Sequence, residues 1–240
     1  MFDSLLPYAD VFIAASLSNL PALSNRNAGI ADGFFITGTD TEIGKSYITC
    51  RIAEYLLQKR PGLAISPRKP IASGCLPQPD GHLLSEDADL VHRASQTPDD
   101  LETVCPYRFE PPISPARAIS QAGAPIGLNE LEMACQAPKG RFRLVEGAGG
   151  LYSPLTPDGH NLDLIQRLGL PVVLVVGNKL GCLNHALLTI RALEAANQTI
   201  ALIVLNDLSD NADPENFTDL QSLVAYPSVH TPYHVYPGQL

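Results

Sequence analysis

The segment Gly38-Thr39-Asp40-Thr41-Glu42-Ile43-Gly44-Lys45-Ser46 holds residues whose types and spacing suit phosphate chemistry. It follows the short apolar run Phe34-Phe35-Ile36-Thr37. It opens a stretch in which Ile48, Ile52, Tyr55 and Leu56 fall on one helical face. A helix that begins at such a loop points free backbone N–H groups, and the positive end of its dipole, at an anion. Lys45 then reaches the β- and γ-phosphates of a nucleotide, and the Ser46 hydroxyl can ligate Mg²⁺. Five residues separate Gly38 from Gly44, and Thr39 holds the position of the first glycine in the ordinary G-x-x-x-x-G-K-[ST] pattern. Taken alone, the string implies nucleotide binding; the competing reading is a strand–helix turn with a chance Gly-Lys-Ser.

Other polar clusters also follow apolar runs. Leu63–Ser66 reads as a strand leading to Pro67-Arg68-Lys69-Pro70, and residues 71–83 read as loop. Helices are expected near Ser85–Ala94, Pro115–Ala122 and Leu128–Ala137. Arg141–Val145 reads as a strand that ends at Glu146-Gly147-Ala148-Gly149-Gly150, and Asn161–Leu168 as a helix. Pro171–Val176 and Thr199–Leu205 are the near-continuous β-branched and leucine runs of strands buried on both faces, with a helix along Leu183, Leu187, Ile190 and Leu193 between them. Strand–helix alternation of this kind predicts an α/β fold: an open, mostly parallel sheet with helices on both faces. Ligands of such folds lie at the carboxyl ends of the strands. Thr37–Ser46, Lys69–Ser73, Glu146–Gly150 and Asn206-Asp207 should therefore meet on one edge.

Bulk composition narrows the function. The chain has 240 residues, 45% of them apolar, and a formal net charge of −9. This argues against general nucleic-acid binding, which needs a basic footprint. It does not exclude an anionic ligand held by amides and one or two lysines. The five cysteines, Cys50, Cys75, Cys105, Cys135 and Cys182, are widely spaced with no C-x-x-C, as expected of reduced thiols in a cytoplasmic protein. No stretch approaches the roughly 20 apolar residues of a membrane span. Leu5–Leu23 is broken by Pro7, Asp10 and Pro21 and lacks a positive flank, so residues 1–32 are expected to be a loosely ordered extension rather than a targeting segment. Residues 33–240 are expected to form a single domain.

Five strings in order resemble the dethiobiotin synthetase family. They are GTDTEIGKS at Gly38–Ser46, RKPIASG at Arg68–Gly74, VEGAGG at Val145–Gly150, VVGNKLGCLNHALLT at Val175–Thr189, and Asn206-Asp207. The resemblance spans Gly33 to Asp207 and implies a P-loop NTPase-like fold. It also implies an ATP-dependent cyclo-ligase of biotin biosynthesis that joins CO₂ to 7,8-diaminononanoate through a carbamate and a carbamic-phosphoric anhydride. It implies Mg²⁺, and a homodimer with sites at the subunit interface.

Residue by residue, the resemblance makes Lys69 the lysine beside the carbamate and γ-phosphate, and Lys45 the loop lysine. Thr41, Glu42, Ile43, Gly44, Ser46 and Tyr47 lie along the nucleotide phosphates, with Gly147, Ala148 and Gly149 beside them. Ser46, Asp87 and Glu146 are the expected Mg²⁺ ligands; Glu86 or Asp89 could replace Asp87. An unpaired Glu146 at the end of a buried strand would be costly, so a cation or an arginine partner is expected there. Ser73 would bond the diamine or carbamate. Gly181, Cys182, Leu183, Asn184 and His185, opening a helix, would hold the remote carboxylate on free N–H groups. Asn206 and Asp207, with Pro232, Tyr233 and His234, are expected on the adenine side. The chain departs from the family in having serine for the more usual threonine at position 46, and in a short segment after Tyr226, rich in proline and histidine, that is expected to lack a final helix. Two alternatives share this loop type. A related corrinoid synthetase would need a glutamine-hydrolysing domain for which the chain is short. A partitioning-type switch ATPase would carry an earlier loop lysine, which Thr39-Asp40-Thr41 lacks.

Overall fold

The computed structural model describes residues 32–232; the N-terminal extension before them lies outside the described residues. Strand β1 (Gly33–Gly38) leads through the glycine loop into α1 (Lys45–Lys59), followed by β2 (Ile65–Arg68), β3 (Ile71–Ser73), β4 (Leu76–Pro77) and β5 (Leu83–Leu84). Next come α2 (Glu86–Ala94), α3 (Leu101–Val104), β6 (Tyr107–Phe109), α4 (Pro115–Ala122) and α5 (Leu128–Ala134). Then follow β7 (Phe142–Gly150), β8 (Pro154–Thr156), β9 (Gly159–His160), α6 (Asn161–Leu168), β10 (Val172–Asn178) and α7 (Cys182–Ala195). The chain continues through β11 (Ile200–Asp207), α8 (Glu215–Leu223) and β12 (Ser228–Thr231). Six strands form one sheet in the order β12-β11-β10-β1-β7-β2, and every pairing in it is parallel.

The two cores follow from the period of two along a strand. Phe35, Val145, Val172, Leu174, Val176, Ile203 and Leu205 point to one face, where residues from α4 to α8 cover them. Phe34, Ile36, Leu144, Val173, Val175, Leu202 and Val204 point to the other, covered by Ile48, Ile52, Ala53 and Leu56 of α1. Both faces are therefore apolar, as their sequences required. At about 1.5–3 kcal/mol for each fully buried aliphatic or aromatic side chain, this burial supplies the main force holding the site's strands parallel.

The register breaks where the sheet meets the site. Ile36 faces Glu146 and Gly38 faces Gly150, so four steps along β7 span two along β1. The bulged segment is the Glu146–Gly150 string, and bulges of this kind re-aim side chains next to binding sites. Asn161, at the start of α6, repairs the disturbed ladder by donating to the carbonyls of Ala148 (2.8 Å) and Gly150 (2.7 Å). A side chain at Gly147 would collide with Asn161, because its Cβ would lie 2.2 Å from Oδ1.

Some expectations shift. Strand β2 runs over Ile65–Arg68, two residues later than the apolar run, because pairing with β7 (Arg68 opposite Val145) extends it through Pro67 at the sheet edge. The loop expected over residues 71–83 contains β3, paired with β6, and β4, paired with β5. Beyond Tyr226, where no strand was expected, the described residues form β12.

A buried ionic knot fixes the end of β2. Arg68, 2% exposed, donates to Asp99 (2.7 Å) and to the carbonyls of Pro67 (2.8 Å) and Gln136 (3.1 Å). Arg141 also donates to Asp99, at 2.5 Å. Burial pushes the Asp99 carboxyl up, but Arg68 and Arg141 more than offset this and hold it below the usual carboxylate range. Its contribution to stability is therefore complete above the ordinary aspartate value and is lost as pH falls through the depressed one. Asp99→Asn strands the Arg68 charge and is expected to cost about 3 kcal/mol in urea denaturation at neutral pH. The gap to wild type should narrow in acid.

Candidate active site

Because all six strands run the same way, the loops after β1, β2, β7 and β11 emerge at one edge. The first is the glycine loop. Gly44 caps α1 in the left-handed region (φ 87°), and Glu42 also takes positive φ (53°), a strained conformation for a residue with a side chain. A Cβ at Gly44 would lie 2.4 Å from Nδ2 of Asn206, and that same amide donates to the Ile43 carbonyl at 3.0 Å. Asn206 at the end of β11 thus pins the loop across the intervening strand β10.

Lys45 is 7% exposed and folds back to donate to the Asp40 carbonyl at 2.7 Å. Burial pushes it down to about 8; Glu146 opposes this and Lys69 adds to it. The Asp40 carboxylate faces Lys179, 3.0 Å away beyond β10, and that hydrogen bond holds it below the usual range.

The centre of the site is Glu146, 1% exposed. Its Oε1 accepts from Ser46 Oγ (2.6 Å) and Lys69 Nζ (2.6 Å), and its Oε2 from Thr49 Oγ1 (2.8 Å). Lys69, 5% exposed, also donates to Asp87 at 2.8 Å, so its ammonium sits between two carboxylates. Burial acts to lower Lys69, but Glu146 and Asp87 outweigh it and hold the ammonium well above the ordinary lysine range. In turn Lys69 holds the Asp87 carboxyl below its usual range. Asp87 comes from the first turn of α2, capped by Ser85, whose hydroxyl accepts from the Ala88 amide at 3.3 Å.

The structure thus brings together Lys45, Ser46, Lys69, Asp87 and Glu146 from four separate segments of the chain. Among the neighbouring acids weighed at the same position, Asp89 bonds Arg93 of its own helix, and it is Asp87 that faces Lys69. Thr41, Glu42 and Ile43 lie in the loop itself, while Tyr47 sits in the first turn of α1 and packs against its core, with burial pushing its hydroxyl up to about 12. Gly147, Ala148 and Gly149 form the β7 bulge. Ser73 ends β3, in the small sheet that follows the Lys69-Pro70 corner.

Gly181 caps α7 with φ 88°; Cys182 is buried, Leu183 half-buried, and Asn184 and His185 exposed. The Asn206 side-chain amide donates to the loop. Asp207 accepts from Asn178 and His230, both at 2.8 Å, and His230 stacks on Phe217. Pro232 follows β12; Tyr233 and His234 lie outside the described residues. Beside the cluster, an open cleft of about 540 Å³ is lined by Thr39, Asp40, Gly150–Pro154, Leu188 and Thr189. Sequence reasoning missed Thr49, Asn161 and the Asp40–Lys179 pair, because each matters only through a partner distant in the chain.

A parallel sheet with a glycine loop, a buried loop lysine and a strand-end glutamate bonded to the loop serine defines a P-loop nucleotide-binding protein. A family model described as an AAA domain matches residues 32–230. "ATP-dependent dethiobiotin synthetase BioD 1" of Escherichia coli (strain K12) is 40% identical over 183 residues, 73% of this chain and 78% of that protein. The BioD proteins of Aeromonas hydrophila (38% over 204 residues; 81% and 87%) and Rhodopirellula baltica (34% over 209 residues; 81% and 80%) are similar as well. The chain belongs to the ATP-dependent dethiobiotin synthetase family.

Polyphosphate favours the charged form of Lys45, so its pKa must rise on binding, and above about 8 the protein must take up a proton to bind. ATP affinity measured calorimetrically without divalent cation should vary little from about pH 7, where the terminal phosphate is already fully ionised, up to that pH. Above it, affinity should fall by up to about tenfold per pH unit, and Lys45→Met should remove the slope.

Proposed function

We infer that this protein is an ATP-dependent synthetase that carboxylates 7,8-diaminononanoate with CO₂ and closes the ring to dethiobiotin, releasing ADP and phosphate. The observation that carries this reading is the Lys69 ammonium held between Glu146 and Asp87 next to a second buried lysine, Lys45. A carbamate and a γ-phosphate are both anions, and they approach only where fixed positive charge offsets their repulsion. A partitioning-type switch needs no second lysine set against a strand-end glutamate, and the relatives named above are synthetases.

In this reading the glycine loop and the first turn of α1 bind the phosphates, with Lys45 leaving the Asp40 carbonyl to reach them. Lys69 neutralises charge between carbamate and γ-phosphate as the carbamate oxygen attacks the γ-phosphorus and the bond to the departing ADP breaks. The second substrate amine then attacks the carbamoyl carbon, expelling phosphate and closing the ring. The open cleft suits the diamine's apolar chain along Leu151, Tyr152 and Leu188. The α7 N-terminus with Asn184 and His185 suits its carboxylate, supplied across a homodimer contact. Asn206, Asp207 and Pro232 stand on the adenine side.

The donor set around Lys69 is a hydroxyl and two carboxylates, all hard oxygens, and this fits Mg²⁺, which takes few protein ligands and keeps several waters. Ser46, Asp87 and Glu146 would hold it, and it would supply charge neutralisation across the phosphates.

ADP release should require the diamine and bicarbonate together, with dethiobiotin detected by mass spectrometry; equal ATP turnover without the diamine would sink this reading. Lys69→Ala should lower turnover by at least about 100-fold while ATP still binds.

A further inference from the structure

Thr49 lies one turn beyond Lys45 on α1 and is wholly buried. It touches neither of the phosphate-loop glycines, and no substrate could reach it. Its hydroxyl is nonetheless 2.9 Å from the Lys45 carbonyl and 2.8 Å from Glu146 Oε2. A threonine inside a helix commonly bonds the carbonyl four residues back, which would make this hydroxyl structural only. One hydrogen decides between the two. Donated to Lys45, it would leave the threonine oxygen and Glu146 Oε2 as facing acceptors 2.8 Å apart. Glu146, paired with the Lys69 ammonium, accepts at both oxygens, and a carboxylate is a stronger acceptor than an amide carbonyl. The Lys45 carbonyl, moreover, already has the amide one turn on as its helical partner.

We propose that Thr49 is a positioning residue: its hydroxyl holds Oε2 of Glu146 and so presents Oε1 to Ser46 and Lys69. Without it, Oε2 is left buried with no donor, and the carboxylate gains by turning to find one. The cation-holding geometry then rests on a contact between α1 and β7, not on the strand alone. This deepens the reading above, and its structural arm is independent of substrate and metal.

The test compares crystal structures of wild type, Thr49→Val, Thr49→Ala and Thr49→Ser with Mn²⁺ titrations of each by electron paramagnetic resonance in the presence of ATP. Valine keeps the shape and loses the hydroxyl; alanine, a strong helix former, serves if valine does not fold; serine keeps the hydroxyl and loses the methyl. In the valine and alanine variants Glu146 should rotate so that Oε1 no longer bonds both Ser46 and Lys69. Mn²⁺ should bind about tenfold more weakly, and serine should restore both properties. Glu146 unmoved in the valine or alanine variant overturns the proposal, whatever the metal does. Glu146 displaced, with no Mn²⁺ bound even by wild type, upholds it and removes the metal reading instead.

Discussion

The site depends on one buried carboxylate. Glu146 is buried midway along β7, at the start of its bulge, where an isolated charge would be very costly. It is tolerated because three donors from two separate segments converge on it: Ser46 and Thr49 from the loop helix, and Lys69 from the corner after β2. Each donor is placed by packing rather than by its own sequence neighbourhood. Removing any one leaves a polar group buried without its partner, so the arrangement is specific as well as stabilising.

The rest of the fold can be understood as what keeps these segments in register. The parallel sheet sends the loops after β1, β2, β7 and β11 to a single edge. The Arg68–Asp99–Arg141 knot fixes the end of β2 one residue before Lys69. The bulge in β7, bridged by Asn161, interrupts the ladder just after Glu146 before pairing resumes at Gly150. The conformational demands on Gly44 and Gly147 are consequences of the same crowding, since Asn206 and Asn161 occupy the space a side chain would need.

Much of this was legible in the sequence, for physical reasons. Runs such as Val172-Val173-Leu174-Val175-Val176 can be covered only on both faces, so the parallel sheet followed from them. The positions of Lys45, Ser46, Lys69 and Glu146 after successive strands then implied their meeting. Pairing energy, by contrast, is not written locally. Strand β2 takes in Pro67 and Arg68 because β7 lies beside it, and Ile71–Ser73 is a strand only because Tyr107–Phe109 pairs with it. Thr49 and Asn161 look like ordinary helix residues until the carboxylate of one strand and the freed carbonyls of its bulge are set against them. Asn206 was expected on the adenine side; that its amide also holds the loop, in the space Gly44 leaves, could not be read from the sequence.

The bond from Asn206 to the Ile43 carbonyl joins residues 163 positions apart. Contacts of such long sequence separation form only after intervening elements have closed their loops. During synthesis the glycine loop leaves the ribosome well before the residue that clamps it. The nascent protein therefore carries an unclamped loop until β11 has joined the sheet.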